Sequence, residues 1–419
     1  MKLTPKGMRD FLPDDMILRE QVIETIKMIY RKYGFVPLET PVMEYLNTLK
    51  SKAGEEVEKQ IFVLEGREYG LRFDLTVPLA RVAATNAFTK PFKRYCISRV
   101  WRHEEPQKGR FREFWQSDID TIGSESMKAD AEILRCAHEV VTTLGFDKPR
   151  ILINNRKIMN GLAKKLGVGE KIDELLRILD KMDKVGKEGV KKHLAEHFDE
   201  KRINEVFSLI SLTGTNKQKI ESAKRLSEDG AKELEEIIAL LPDVPVEIDL
   251  SLVRGLGYYT GPVFEIKLSD EIGSVAGGGR YDHLLEKYGQ KDCATGISIG
   301  IERILYLLNE RIKKRGKQSK KTFTQVFVAC VKPEFYDEVV KIANEIRKGN
   351  VDVETDLNNR NLRKQLEYVN VMGIPYVIVV GEKEVKSKKG KIRNMESGEE
   401  REVELYTHLM MPKGNKNDD

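Results

Sequence analysis

Apolar side chains recur at helical spacing from Pro13 to Tyr33, through Leu18, Val22, Ile26 and Ile29, and predict a helix with one apolar stripe. Asp14 or Asp15 can cap its first amides, and Gly34 ends it. The period then changes. Phe35 to Pro41 reads as an extended segment whose two prolines suit a sheet edge or an interface. Ile61–Leu64 and Tyr69–Phe73 predict a hairpin around Glu65-Gly66-Arg67, and a helix is expected from about Leu79. Arg94–Arg102 alternates as a strand does, a polar loop from Glu104 to Arg112 interrupts it, and Phe114–Ile122 returns. This is a long antiparallel hairpin with a basic, mobile tip, followed by a helix at about Lys128–Leu144.

Between about Arg156 and Asp243, lysine and glutamate dominate and aromatics nearly vanish. Leu175, Leu179 and Met182 recur at helical spacing, so an all-helical insertion is expected. Strand character resumes at Val246–Leu252 and Pro262–Lys267, and Ala294–Gly300 leads into a helix carrying Glu302 and Arg303. The basic run Arg311–Lys321 marks a linker. Beyond it, strands at Val326–Cys330, Val351–Thr355 and Tyr376–Val380 alternate with helices at about Glu334–Arg347 and Leu362–Val369. That rhythm predicts a small α/β domain with a mainly parallel sheet. The tail after Pro412 is expected to be disordered, and no internal repeat is present.

Composition adds exclusions. A chain of 419 residues has room for two or three domains. Hydrophobics at 40% and charges at 33% fit a soluble protein, and no stretch reaches the roughly 18 apolar residues of a membrane span. Met1-Lys2-Leu3 leads straight into polar sequence, so no secretory signal is expected. Cys96, Cys136, Cys293 and Cys330 are scattered, which suits neither a zinc site nor a disulfide scaffold and implies a reducing cytoplasm. A net charge of +5 permits a nucleic-acid partner without demanding one.

Candidate chemistry lies in two stretches, Val100 to Asp120 and Leu252 to Gly261. Arg102, at a strand end, can fork onto a phosphate, and Glu104 two residues on can take a base amino group or a metal. Phe114 can stack a purine, and Arg303 opens a helix with a second planar cation. Equally, Arg102 and Glu104 can form a cross-strand pair on a solvated face. Asp74, Thr76, Gln116, Asp120, Tyr258 and Tyr259 suggest a second subsite for an ammonium and an imidazole ring. The tyrosines can also be core packing, and Asp74 with Leu75 and Thr76 a helix cap. Gly277-Gly278-Gly279 lets backbone approach a ligand or makes a turn, but lacks both phosphate-loop spacings. His193 and His197 have metal-pair spacing on a lysine-rich helix with no third ligand nearby, so they read as surface histidines and no metal ligands are assigned.

The order of these features carries more than any one of them. The strand–Arg-His-Glu–loop–Phe hairpin, the insertion, and then Gly296-Ile297-Ser298-Ile299-Gly300-Ile301-Glu302-Arg303 resemble the second and third signature motifs of class II aminoacyl-tRNA synthetases. The helix and strand ending at Pro41 resemble their first motif. Leu252-Val253-Arg254-Gly255-Leu256 with Tyr258-Tyr259, and Ala276 to Asp282, resemble the two histidine signatures of histidyl-tRNA synthetases. Asp74-Leu75-Thr76 and Asp120 are similar to the archaeal and eukaryotic branch.

The resemblance implies a class II α+β catalytic domain with a mainly antiparallel sheet over 1–150 and 246–310, and a helical insertion over 151–245. It further implies a linker at 311–322, an α/β anticodon-binding domain at 323–412, and a tail at 413–419. Implied partners are ATP with Mg2+, L-histidine and histidine tRNA, in a cytoplasmic homodimer with no membrane contact. Implied catalytic groups are Arg102 on the ATP α-phosphate and Arg254 between it and the histidine carboxylate. Phe114 and Arg303 would sandwich adenine, with Glu104 at the base or the metal. Asp74, Leu75, Thr76 and Gln116 would lie at the α-amino group, Asp120 and Tyr259 at the imidazole, and Tyr258 along the pocket. Gln107, Lys108, Arg110 and Arg112 are tRNA-contact candidates, and the basic run Lys383–Arg393 can meet the anticodon backbone or simply be solvated. Gly257 stands where the family pattern usually has aspartate, which puts the rigidity of that loop in doubt. Two non-enzymatic relatives share the resemblance: the regulatory subunit of an ATP phosphoribosyltransferase and a tRNA-sensing module. The C-terminal domain and the presence of both histidine signatures argue against the first, and the intact arginines against the second.

Overall fold

The computed structural model describes residues 4–50, 58–107, 109–168, 171–180, 182–253, 258–316 and 319–406. The chain divides into two compact units, Met1–Asp10 with Gln21–Glu310, and Phe11–Glu20 with Arg311–Asp419.

The larger unit is organised by its strands. These are β1 (Val36–Pro37), β2 (Met43–Tyr45), β3 (Tyr69–Leu71), β4 (Phe92–Trp101), β5 (Glu113–Ile122), β6 (Arg150–Asn155), β7 (Val246–Ile248), β8 (Pro262–Lys267), β9 (Ala276–Arg280) and β10 (Ala294–Gly300). Eight form one sheet in the order β1-β4-β5-β10-β9-β8-β6-β7, and β2 pairs with β3 in a separate ribbon. The six central strands are antiparallel throughout, and only β1–β4 and β6–β7 at the margins run parallel. Pro37 sits on the edge strand, where its missing N–H breaks no ladder. The ribbon adds to one expectation: β3 also takes Met43–Tyr45 as a partner, while the expected hairpin closes through the Val63–Gly70 bridge, with Leu64 N to Tyr69 O at 3.0 Å and Leu71 N to Phe62 O at 2.9 Å. The helix expected from Leu79 spans Thr76–Thr85, because the first turn tolerates Pro78.

β5 explains why the sheet has two unlike faces. Ser117, Ile119 and Thr121 point one way and Gln116, Asp118 and Asp120 the other, and all six are buried. On the first face, Tyr30 of the helix Pro13–Lys32 meets the Ser117 hydroxyl at 2.9 Å. The helix Met127–Thr143, capped by Ser126, lays Ile133, Leu134, Ala137, Val140 and Val141 into the core. Its Asp130 accepts from Thr295 Oγ1 at 2.8 Å and pairs with the buried Arg280. The second face carries the candidate site. Gly277–Gly279 is neither loop nor turn but part of β9, and a Cβ at Gly278 would lie 2.6 Å from Ile297 Cα on β10.

The helical stretch divides in two. Helices from Arg156–Lys165 to Glu200–Ile210 share one core around Leu162, Leu175, Leu179, Leu194 and Phe207, joined by Val253. Glu228–Ala239 packs instead on Met127–Thr143 and β6. Residues 151–155, read from sequence as the start of the insertion, belong to β6. Its run Ile151-Leu152-Ile153 is buried between β7 and β8 and so shows no alternation. The helix Ile301–Lys314 likewise runs through the first four residues of the expected linker.

In the smaller unit, β11 (Val326–Cys330), β12 (Val353–Thr355), β13 (Tyr376–Val380), β14 (Lys389–Asn394) and β15 (Glu400–Glu404) lie in the order β12-β11-β13-β14-β15. The first three are parallel and the last two add an antiparallel hairpin, so the sheet is mixed rather than mainly parallel. The hairpin escaped the sequence pattern because only Gly390 and Ile392 of β14 are buried, among exposed lysines. Val326, Val328, Ile342, Ile346 and Ile378 form the core beneath. The tail expected to be disordered lies outside the described residues.

Candidate active site

The site begins where the chain leaves β3. Asp74 Oδ1 accepts from the Val77 amide at 3.0 Å and so caps the helix Thr76–Thr85. Its other oxygen, Oδ2, is buried without a hydrogen-bond partner among the described residues. The capping and binding readings therefore use different oxygens of one carboxyl. Burial raises the Asp74 pKa against the pull of the Val77 amide and Arg102. Leu75 packs with Cys96, Val100 and Phe114, and its carbonyl accepts from Arg94 at 3.0 Å, so its side chain serves the core.

β4 and β5 bring the remaining groups together. Arg102 donates to the Phe73 carbonyl at 2.9 Å, and its guanidinium carbon lies 5.2 Å from the centre of the Phe114 ring. Gln116 donates to Ser298 Oγ at 2.6 Å, leaving its buried Oε1 without a partner among the described residues. Asp120 is ion-paired to the fully buried Arg94 at 2.8 Å and accepts from Tyr281 Oη at 2.5 Å. Gly296 makes room for it, since a Cβ there would collide with the Asp120 carboxylate. The rings of Tyr258 and Tyr259 meet tilted, 4.8 Å apart, in one cluster with Leu79 and Ala80 and are both buried, so they are core as well as pocket wall.

The hairpin tip is closed on itself. Gln107 and Arg110 exchange backbone bonds of 3.0 and 2.9 Å. Glu104 is ion-paired with Arg110 rather than with Arg102. Arg112 donates to the Glu104 carbonyl at 2.8 Å and lies 3.5 Å from Glu105. Lys108 is outside the described residues, as are Arg254 and Gly257. Arg303 donates to the Ser274 carbonyl, with Gly109 of the tip beside its side chain.

Tyr258 and Tyr259 open onto a cleft of about 1080 Å³ between the sheet and the insertion, lined also by Arg156, Lys164, Lys171 and Arg202. Among the described residues no carboxylate lines it, which gives it a cationic character. His197 is on its wall, 3.2 Å from Glu174, and His193 lies 3.7 Å from Glu196. In the smaller unit, Lys386, Lys389 and Lys391 pair with Glu382, Glu402 and Glu400 at 2.5, 3.1 and 3.1 Å. That basic run therefore carries less free charge than its sequence suggests.

Arg94, Asp118, Tyr281 and Ser298 were given no role by sequence. Their signal was faint: Gln116, Asp118 and Asp120 alternate on one strand face, and Arg94 sits opposite Asp120 in the β4–β5 register.

Residues 7–304 match the family model described as Histidyl-tRNA synthetase, and residues 325–407 match Anticodon binding domain. A histidine–tRNA ligase of Aeropyrum pernix is 41% identical over 398 residues, covering 91% of this chain and 90% of its own. One from Clostridium tetani is 39% identical over 420 residues, 95% of each. The crystal structure of histidyl-tRNA synthetase from Nostoc sp. PCC 7120 matches at a TM-score of 0.83 and 30% identity, over 96% of this chain and 97% of that one.

Proposed function

Because the chain belongs to the histidyl-tRNA synthetase family, we propose that the acceptor-lined face of its large sheet holds histidine beside ATP. The chain ligates L-histidine to its cognate tRNA in two steps, through histidyl-adenylate and then transfer to the terminal adenosine. The observation that carries the site reading is two buried oxygens, Asp74 Oδ2, whose carboxyl feels Arg102, and Gln116 Oε1, both without donors among the described residues. An ammonium supplies those donors.

In the first step the histidine carboxylate attacks the ATP α-phosphorus and pyrophosphate leaves. Charge gathers on the α-phosphate oxygens, where Arg102 and Arg254 stabilise it more than in the ground state. Phe114 and Arg303 hold the adenine between them. Asp120, anchored by Arg94 and Tyr281, and Tyr259 receive the ring nitrogens of histidine. A side chain lacking those nitrogens leaves buried polar atoms unpaired and is rejected. Mg2+, bound chiefly by the ATP phosphates, would neutralise the departing pyrophosphate, and Glu104 suits it as a single protein carboxylate. In the second step the tRNA end reaches Tyr258 and Tyr259 along the cationic trough, and Gln107, Lys108, Arg110 and Arg112 are further candidates for tRNA contact.

The working form is a cytoplasmic homodimer of the 48.0 kDa chain. Val36, Val42, Met43, Tyr45, Val63 and Tyr69 are exposed around β1 and the β2–β3 ribbon, an apolar strip of the kind a second copy covers. The smaller unit reads the anticodon.

Amino-acid-dependent pyrophosphate–ATP exchange tests the site reading. Histidine alone of the twenty amino acids should support exchange, and Arg254→Ala should abolish it with the fold intact. Near-normal turnover of that variant would remove Arg254 from the mechanism, and exchange with another amino acid would contradict the pocket.

A further inference from the structure

Asp118 lies between Gln116 and Asp120 on the site face of β5 and is 2% exposed. The sheet register sets it between Cys96 on β4 and Ser298 on β10. Ser298 Oγ accepts from Gln116 Nε2, so its single proton is left for another acceptor, and the carboxyl that faces it across the β5–β10 register is Asp118. This relay turns the Gln116 amide nitrogen toward Ser298 and leaves Oε1 as the free acceptor. Asp118 Oδ1 is likewise buried without a partner among the described residues.

The charged and titratable groups around Asp118 are Arg94 and Cys96 on β4, Asp120 on its own strand, Asp74 before the helix Thr76–Thr85, and Tyr281 after β9. Tyr30 lies beyond, at Ser117. Arg94 is the fully buried cation of this group and is already paired with Asp120. Three buried carboxyls thus face one fully buried guanidinium, with Arg102 acting on Asp74 from the site side, and the excess acid needs either a proton or an arriving cation.

Resting on the histidine site proposed above, we propose that Asp118 is a further carboxylate of that site. It fixes Gln116 through Ser298 and, ionised, receives the cationic amine of the amino acid on its free oxygen. Burial outweighs the pull of Arg94 and pushes the Asp118 carboxyl up to about 7 in the free protein. Amine binding and ionisation of Asp118 then favour each other near neutral pH.

The test is histidine-dependent exchange by the full chain and by Asp118→Asn, from pH 6 to 8.5. The ratio of variant to wild-type KM for histidine cancels the titration of the substrate. It should reach about tenfold at pH 8.5, the loss of one charge-assisted hydrogen bond. It should fall toward one at pH 6, where wild-type Asp118 is itself protonated, with kcat changing less than KM. Asp118→Asn should also unfold no earlier than wild type at pH 8.5. An acid raised in the folded state withdraws stability as pH climbs from its unfolded value of about 4 to its folded value, and asparagine removes that loss. A ratio near one at pH 8.5, or a ratio flat with pH, overturns the proposal. If the asparagine variant does not fold, Ser298→Ala takes its place: KM for histidine should rise and KM for ATP hold, and an unchanged histidine KM overturns it. No exchange by wild type would sink the site reading and this proposal together, whereas an active wild type with an unaffected variant sinks Asp118 alone.

Discussion

β5 and β11 are both central strands, yet they bury opposite things. β11 puts Val326, Phe327, Val328, Ala329 and Cys330 into apolar cores on both faces. Its buried polar neighbour Gln365 is fully engaged, bonding the Cys330 amide and carbonyl at 2.9 Å each. β5 buries Gln116, Asp118 and Asp120, with acceptor oxygens of the first two unpartnered among the described residues. Each such atom costs about 1–3 kcal/mol, so a sheet keeps several together only where a ligand brings the donors. On the proposed reading, one strand is built for its fold and the other for what enters it.

Arg94→Met breaks the comparison most sharply. It leaves Asp120 buried without its cation and should cost about 3–5 kcal/mol in urea unfolding. The Asp120 pKa is already raised by burial, so without Arg94 the neutral form dominates and the loss should shrink as pH falls toward 5. A small, pH-independent change would mean that Asp120 is not held as a charge. Arg102→Ala should leave Tm nearly unchanged while slowing single-turnover adenylate formation by about 10²–10³-fold. A mild effect would shift the stabilisation to other cations. Raising salt from about 50 to 200 mM should weaken KM for tRNA steeply and leave histidine-dependent exchange almost untouched, because only tRNA binding releases many counterions. Equal sensitivity would argue against the cationic trough as the tRNA path. Lys391→Ala, which removes an exposed cross-strand pair on β14, should change stability by less than about 1 kcal/mol. A larger loss would give that hairpin the weight claimed for β5.

The helix Met127–Thr143 was legible in sequence because one face is wet and the other apolar, and the β4–β5 hairpin because polar and apolar residues mix along both strands around a polar turn. β6 was hidden by burial on both faces, and β14 by its exposed lysines. Arg102, Asp74 and Gln116 were singled out through the motifs that carry them. Asp118 and Arg94 were not, because their meaning lies in strand register: Arg94 opposite Asp120, and Ser298 of β10 opposite Asp118, far along the chain. Glu104 was misread in the bland alternative, since the closed tip brings it to Arg110 instead of Arg102.

The most direct test is a crystal structure of the chain with histidinol, which keeps the amine and the imidazole and lacks the carboxylate. The account predicts the amine within about 2.7–3.2 Å of Asp74 Oδ2 and Gln116 Oε1, with the ring turned toward Asp120. An amine bound elsewhere, with those oxygens still unpartnered, would contradict the claim that they exist to receive it.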